Sequence, residues 1–360
     1  MSTAHINRIG TAVPDHDVHD SFIRFADQIL PERKSRLLFK RMAQRAEIEH
    51  RYSSFKPGET PVVAADGNGF YRPGQFPSTA IRMGIFETQA VELAVRSVDA
   101  LGIDHERSDI THLIVTSCTG FTAPGLDQQL TKRLGLNPSI QRTLVGFMGC
   151  AAAVNALKLA HHIVRSEPYA RVLIVNLELC TLHLQDSTDL EELLGALLWG
   201  DGSAASLVTA EPSGIVLGGF RAATIPDSHG LLTWSIGDSG FEMTLSGEVP
   251  LRIASALRQE LCRNDDQGFL RADDRDDVAL WAVHPGGRTI LDAVQQALDL
   301  DPHALCWSRG VLRDYGNMSS ATLMFVLERM MRSAPVNSNG VAMAFGPGLV
   351  AETFRFRLIP

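Results

Sequence analysis

At 360 residues, 45% hydrophobic and 21% charged, the sequence is long enough to bury a large core and is not composed like a disordered chain. A formal net charge of −8 argues against a nucleic-acid partner, although a local basic patch stays compatible with phosphate binding. Five widely spaced cysteines (118, 150, 180, 262, 306) include no C-x-x-C pair, which argues against a disulfide framework or a zinc site and fits a reducing compartment.

The N-terminal stretch lacks the charged start and apolar segment of a secretion signal, and no apolar run approaches the ~18 residues of a membrane span. The expectation is a cytoplasmic protein. A first strand is predicted over 6–13 and stopped by Pro14. Most of 21–51 reads as helix, basic in its later part at Arg36, Lys40, Arg41 and Arg45. Gly and Pro crowd 53–78, a surface loop. Helix is predicted again over about 80–101. A buried strand follows at 112–117 (H-L-I-V-T-S), and a helix begins within 124–134 with Asp127 in its first turn. Residues 143–146 lead into a helical run after Cys150, and 171–176 (R-V-L-I-V-N) is another short apolar strand.

E-P-S-G after Ala210 marks a boundary, dividing the chain into halves of 1–212 and 213–360. The second half is read as a strand at 215–221, a Gly-rich region to Gly247, and a helix at 250–263. A solvated acidic loop at 271–277, a strand at 279–283 and a helix at 289–298 come next. Helix over 317–332 and strands at 340–345 and 353–358 close the chain. Short apolar strands alternating with helices describe an α/β protein with buried sheets. Each half has a strand, a reactive-looking residue in a turn and a helix, which suggests a structural duplication.

Cys150 sits where glycine-rich G-F-M-G gives way to A-A-A-V-N-A-L-K-L-A. A sulfur at a helix N-terminus feels the positive end of the helix dipole, which favours thiolate. A small buried cysteine is the competing reading. His284 ends the strand A-L-W-A-V before P-G-G, and Asn317 follows Tyr315-Gly316 at the start of a helical run. Strand ends and helix starts are where active sites of α/β proteins gather. Thiol, imidazole and carboxamide form a coherent set: the imidazole holds the thiolate as an ion pair, and imidazole and amide donate to a developing oxyanion. A satisfied core histidine and an N-capping asparagine are the plainer alternatives.

Five motifs in order carry a resemblance: G-F-M-G-C-A-A-A (146–153), W-G-D-G-S-A-A (199–205), H-P-G-G-R (284–288), G-N-M-S-S-A (316–321) and A-F-G-P-G (344–348). The chain resembles type III polyketide synthases, the chalcone synthase-like family of the thiolase superfamily, in their bacterial form. The resemblance spans nearly the whole sequence. It implies a thiolase-like αβαβα fold with two structurally related halves and a homodimer. It also implies a catalytic triad of Cys150, His284 and Asn317. The implied substrates are malonyl-CoA and acyl-CoA (or acyl carrier protein) thioesters, with no metal and no other cofactor.

The family usually has phenylalanine before G-D-G; here Trp199 stands there, an apolar wall that disfavours the malonyl carboxylate. Arg41 and Arg45, one helical turn apart, match basic positions of the family's CoA-binding helix, whereas Leu38 replaces a lysine of plant relatives. Cys118, Ala123, Cys180, His183, Gly240 and Phe345 are expected around the substrate pocket, with Ala123 on a loop that in the family crosses the dimer interface. The small side chains suggest room for a fatty acyl starter. Burial is expected for Cys262 and Cys306. The competing activities are a single condensation like that of ketoacyl-acyl carrier protein synthase III, a papain-like cysteine protease, and a non-catalytic thiolase-fold binding protein.

Overall fold

The computed structural model describes residues 2–57, 69–263, 268–270 and 277–360. Nearly all of the predicted acidic loop at 271–277, and the middle of the 53–78 loop, lie outside these residues. The first half forms β1 (His5–Ala12), β2 (His16–Asp17), α1 (His19–Ile29), α2 (Arg33–Arg45), β3 (Tyr52–Ser53) and α3 (Thr79–Leu101). It continues with β4 (His112–Ser117), α4 (Leu126–Arg133), β5 (Gln141–Gly146), α5 (Ala152–Ser166), β6 (Val172–Leu179), α6 (Leu190–Ala196) and β7 (Asp201–Thr209). The second half has β8 (Gly214–Thr224), β9 (Leu232–Gly237), β10 (Gly240–Leu245), α7 (Val249–Leu261), β11 (Leu280–Val283) and α8 (Arg288–Ala297). It ends with α9 (Cys306–Tyr315), α10 (Thr322–Ser333), β12 (Asn339–Gly346) and β13 (Val350–Ile359).

Nine strands make one sheet in the order β11-β12-β13-β8-β1-β7-β6-β4-β5. Outward from its middle, β1-β7-β6-β4 and β8-β13-β12-β11 repeat one pattern: antiparallel, antiparallel, parallel. The two sets join where β1 meets β8, with His5 opposite Val216 and Ile6 opposite Ile215. This matches the duplication suggested by a strand, a turn with a reactive-looking residue and a helix in each half.

Period-two alternation builds the layers. Ile114, Val172, Ile174, Ala282, Ala342 and Ala344 face a central core shared with α5 and α10. Their neighbours Leu113, Val115, Leu173 and Val175 face α3, while Trp281, Val283, Val341 and Met343 face α7 and α8. Helices thus lie outside each half of the sheet and between the halves, the αβαβα layering of a thiolase-like fold. On α5, the buried stripe Val154, Leu157, Ala160, Val164 seats the helix in the centre. Each large aliphatic side chain so buried contributes about 1.5–3 kcal/mol.

Several elements differ from their predicted form. The helix expected over 21–51 is two, because Pro31 disfavours helix at Leu30 and the chain turns there. α10 starts at Thr322, after a 3₁₀ turn at Ser319–Ala321, so Asn317 lies before the helix rather than capping it. Cys262 and Cys306, expected to be buried, are exposed, one just past the end of α7 and the other on the first turn of α9.

Candidate active site

Cys150 lies in a 3₁₀ turn, Gly149–Ala151, that runs straight into α5. Gly149 has φ +58°, and a Cβ there would stand 2.3 Å from Cδ of Pro347. Only glycine lets this turn dock against the loop after β12. Phe147 (φ 55°) and Ser319 (φ 46°) also hold left-handed backbone without being glycine. Each such residue stores about 1–3 kcal/mol of strain, and the two flank Cys150 and Asn317.

The thiol of Cys150 is 3.9 Å from Oγ of Ser319, and the nearby Asn317 side chain favours its thiolate. Oδ1 of Asn317 accepts from the Ser319 N–H at 2.9 Å, which leaves Nδ2 as the donor; it also reaches the carbonyl of Gly286 at 3.3 Å. Gly286 belongs to the turn after β11 that carries His284. The His284 main chain is held by the Met343 carbonyl at 2.7 Å. Its imidazole is buried, yet neither ring nitrogen has a hydrogen-bond partner among the described residues. Asn317 thus lies between Cys150 and the turn that carries His284.

Cys150 keeps a small accessible face but lies deep in the protein, and burial pushes its thiol up to about 12. Burial likewise pushes His284 down to about 3. Either charge alone is unfavourable here. Burial here opposes the thiolate that a helix N-terminus would favour.

A buried polar network that the motifs did not reveal stands behind the thiol. Glu178 on β6 accepts from Oγ of Ser320 at 2.6 Å, and from Cys118 N–H and Thr119 Oγ1 at 2.9 Å each. Burial raises its carboxyl to about 7. The available signal was an acid within the apolar run V-L-I-V-N-L-E-L.

A cavity of about 950 Å³ adjoins this site and is lined by Cys180, His183, Trp199, Trp234, Phe241 and Tyr71, among others. The triad is not part of this lining. Trp199 stands at the border, its backbone paired with that of Asn317 in an isolated bridge. His183 stacks on Phe241 with ring centres 4.2 Å apart. Its Nε2 meets the Thr119 carbonyl at 2.7 Å and its Nδ1 accepts from Phe241 N–H at 2.9 Å. Both nitrogens being engaged, His183 is a wall and not an acid or base.

Four residues expected around the pocket do not line this cavity. Cys118 is buried behind it, its sulfur accepting from Gly149 N–H at 3.0 Å and its carbonyl from Nε1 of Trp234 at 2.7 Å. Ala123 is exposed on the loop before α4. Gly240 opens β10, its N–H on Thr79 Oγ1 at 2.8 Å, and Phe345 packs into the core against α7 and α8. Arg41 and Arg45 are exposed on α2, and the Arg45 carbonyl accepts from Arg288 Nη1 at 3.0 Å. That bond ties the end of α2 to the H-P-G-G-R turn. Among the described residues, no group of three His, Cys, Asp or Glu could hold a metal ion, and no helix is long and apolar enough to cross a membrane.

Residues 2–212 match the family profile "Chalcone and stilbene synthases, N-terminal domain", and 220–360 match its C-terminal counterpart. The chain belongs to this family, the type III polyketide synthases. A curated relative of the synthase, "Alpha-pyrone synthesis polyketide synthase-like Pks18" of Mycobacterium tuberculosis, is 36% identical over 290 residues, covering 77% of this chain and 73% of the relative. The solved structure of PKS-I from the brown alga Ectocarpus siliculosus is 28% identical with a TM-score of 0.85, covering 100% of the synthase and 99% of that chain. The C-terminal type III domain of Steely1, a type I/III hybrid from Dictyostelium, shares the fold at 22% identity and a TM-score of 0.89, covering 99% of the synthase and 100% of that chain.

Proposed function

We propose that Cys150 carries the growing acyl chain, that His284 and Asn317 stabilise the oxyanions of the reaction, and that the starter is a fatty acyl thioester. The observation that carries this reading is the buried imidazole of His284, with no partner among the described residues, joined through Asn317 to the Cys150 thiol. A buried polar group without a partner costs free energy unless a ligand completes it.

In the loading step His284 takes the Cys150 proton as sulfur attacks the thioester carbonyl. A new C–S bond forms, and the CoA thiolate leaves and is reprotonated. Malonyl-CoA then loses CO₂: the bond between its carboxylate and α-carbon breaks, and the electron pair becomes a thioester enolate. Imidazole N–H and the Asn317 amide donate to that oxygen, whose charge develops only along the reaction path. The α-carbon attacks the acyl-cysteine, a C–C bond forms and the C–S bond breaks, returning the thiolate. The apolar faces of Trp199 and Trp234 disfavour the carboxylate more than the enolate.

We assign Arg41 and Arg45, exposed on α2, to the CoA phosphates; the cavity lip carries Lys56 but also Asp186, Asp189, Glu191 and Glu192, which repel phosphate. The aromatic wall suits an apolar acyl chain, and the Pks18 relative bears alpha-pyrone synthesis in its name. Repeated extension followed by closure to a pyrone or resorcinol is the outcome we infer, in a cytoplasmic homodimer divided near 212–213 into a half carrying Cys150 and a half carrying His284 and Asn317. The test is to incubate the protein with malonyl-CoA and acyl-CoAs of graded length and weigh the products. Cyclised products with two or more added two-carbon units are expected from long starters; a single uncyclised extension would sink the reading.

A further inference from the structure

The geometry points to Arg51 as a positioning residue for malonyl decarboxylation, acting through the segment that holds Trp199 and Asn317 together; this rests on the function proposed above. Arg51 is buried, and its guanidinium hydrogen-bonds to carbonyls and an imidazole rather than to a carboxylate. A buried cation without a bonded counter-ion is costly to keep. The groups around it show what it holds. Nη1 donates to the carbonyls of Trp199 at 2.6 Å and Ala196 at 3.1 Å, and Nε to Nδ1 of His19 at 3.0 Å. The guanidinium lies 4.9 Å over the ring of Phe22.

Ala196 is the last residue of α6, so the cation sits on the negative end of that helix and on the carbonyl three residues further along. The chain on either side of Trp199 clamps Asn317. Asn317 N–H donates to the Leu198 carbonyl at 2.7 Å, and Gly200 N–H to the Asn317 carbonyl at 3.0 Å. On the other side, the stem of Arg51 packs beneath Gly316: a Cβ on Gly316 would lie 2.9 Å from Cγ of Arg51. One side chain thus fixes both edges of the Trp199–Asn317 bridge. Its own main chain is anchored elsewhere, by Val18 N–H on the Arg51 carbonyl at 2.8 Å and by Asp17 on the Arg51 N–H at 3.3 Å. Cys150 itself hangs from a separate loop and helix, so Arg51 reaches the thiol only indirectly, through Asn317.

The test compares wild type, Arg51→Met and Arg51→Lys in two assays: decarboxylation of malonyl-CoA, and alkylation of Cys150 by iodoacetamide. A misplacement of about 1 Å at a reacting group costs about a hundredfold in rate. Arg51→Met is expected to lose about that much kcat for decarboxylation, with KM for malonyl-CoA and the alkylation rate changed by less than about threefold. Arg51→Lys, which keeps the charge but cannot fork between acceptors, is expected to fall between. Unchanged decarboxylation in Arg51→Met overturns the assignment. So does a parallel loss of alkylation, decarboxylation and melting temperature in both variants, which marks a purely structural role. Wild type that leaves malonyl-CoA intact overturns the polyketide reading itself and the assignment with it.

Discussion

Cys150 and His284 each sit where their charged form is penalised, one pushed up to about 12 and the other down to about 3. In the proposed loading step His284 takes the Cys150 proton, which makes the imidazole the group that sets the reactivity of the sulfur. Replacing His284 by Gln leaves the thiol facing burial alone. Alkylation of Cys150 in that variant is expected to be slower than in wild type throughout, and to rise about tenfold per pH unit from about 7 to 9 without a plateau. Iodoacetamide kinetics by intact mass would read this; a plateau near neutrality in the variant would count against it. Glu178 gives a second signature. Its carboxyl is raised to about 7 by burial, so the fold favours the protonated form. The stability it contributes is complete below the ordinary carboxyl range and is lost as pH climbs through about 7, about 3 kcal/mol in all. The melting temperature of the wild type relative to Glu178→Gln should therefore fall between pH 5 and 8, as calorimetry would show.

The turns, more than the helices, decide whether these residues meet. Strands such as 112–117 and 171–176 were legible because apolar residues dominate them and turn signals bound them. The positions of Cys150 and His284 at strand ends were legible for the same reason. Less visible was α6, a helix of only Leu190–Ala196, too short for a periodic signal, whose end presents Trp199. The role of Arg51 was hidden altogether, since its partners Ala196 and Trp199 are distant in sequence and offer only backbone carbonyls. The turn before Cys150 shows how little slack these elements have. Gly149→Ala forces a Cβ to within 2.3 Å of Pro347 at φ +58°. A left-handed residue with a side chain costs about 1–2 kcal/mol even before the clash. We expect the variant to fold with a lower melting temperature and to load acyl groups on Cys150 about tenfold or more slowly, as measured by mass of the acyl-enzyme. Loading at the wild-type rate would mean the turn tolerates displacement.

At the scale of the molecule, the repeated strand order leaves one asymmetry: β5 extends the first half beyond β4, with nothing beyond it among the described residues. An open edge of this kind invites another strand. Around it, Leu144 is 44% exposed, and Phe121 and Met148 are each 40% exposed. The exposed loop of Ala123 lies in the same connection, between β4 and α4. Met148 is two residues from Cys150, and Phe121 stacks on Phe147 at 5.1 Å. A two-fold axis at this edge would pair β5 with its own copy and cover the apolar side chains on both subunits at once, as an isologous interface does. It would also brace the strained turn that carries the nucleophile. Leu144→Arg places like charges face to face across such an axis while leaving the core of either subunit untouched. Light scattering after size exclusion should then report a dimer for the wild type and a monomer for the variant, together with slower loading of Cys150. A variant that stayed dimeric at micromolar concentration would move the interface to another face and release Phe121 and Met148 from this role.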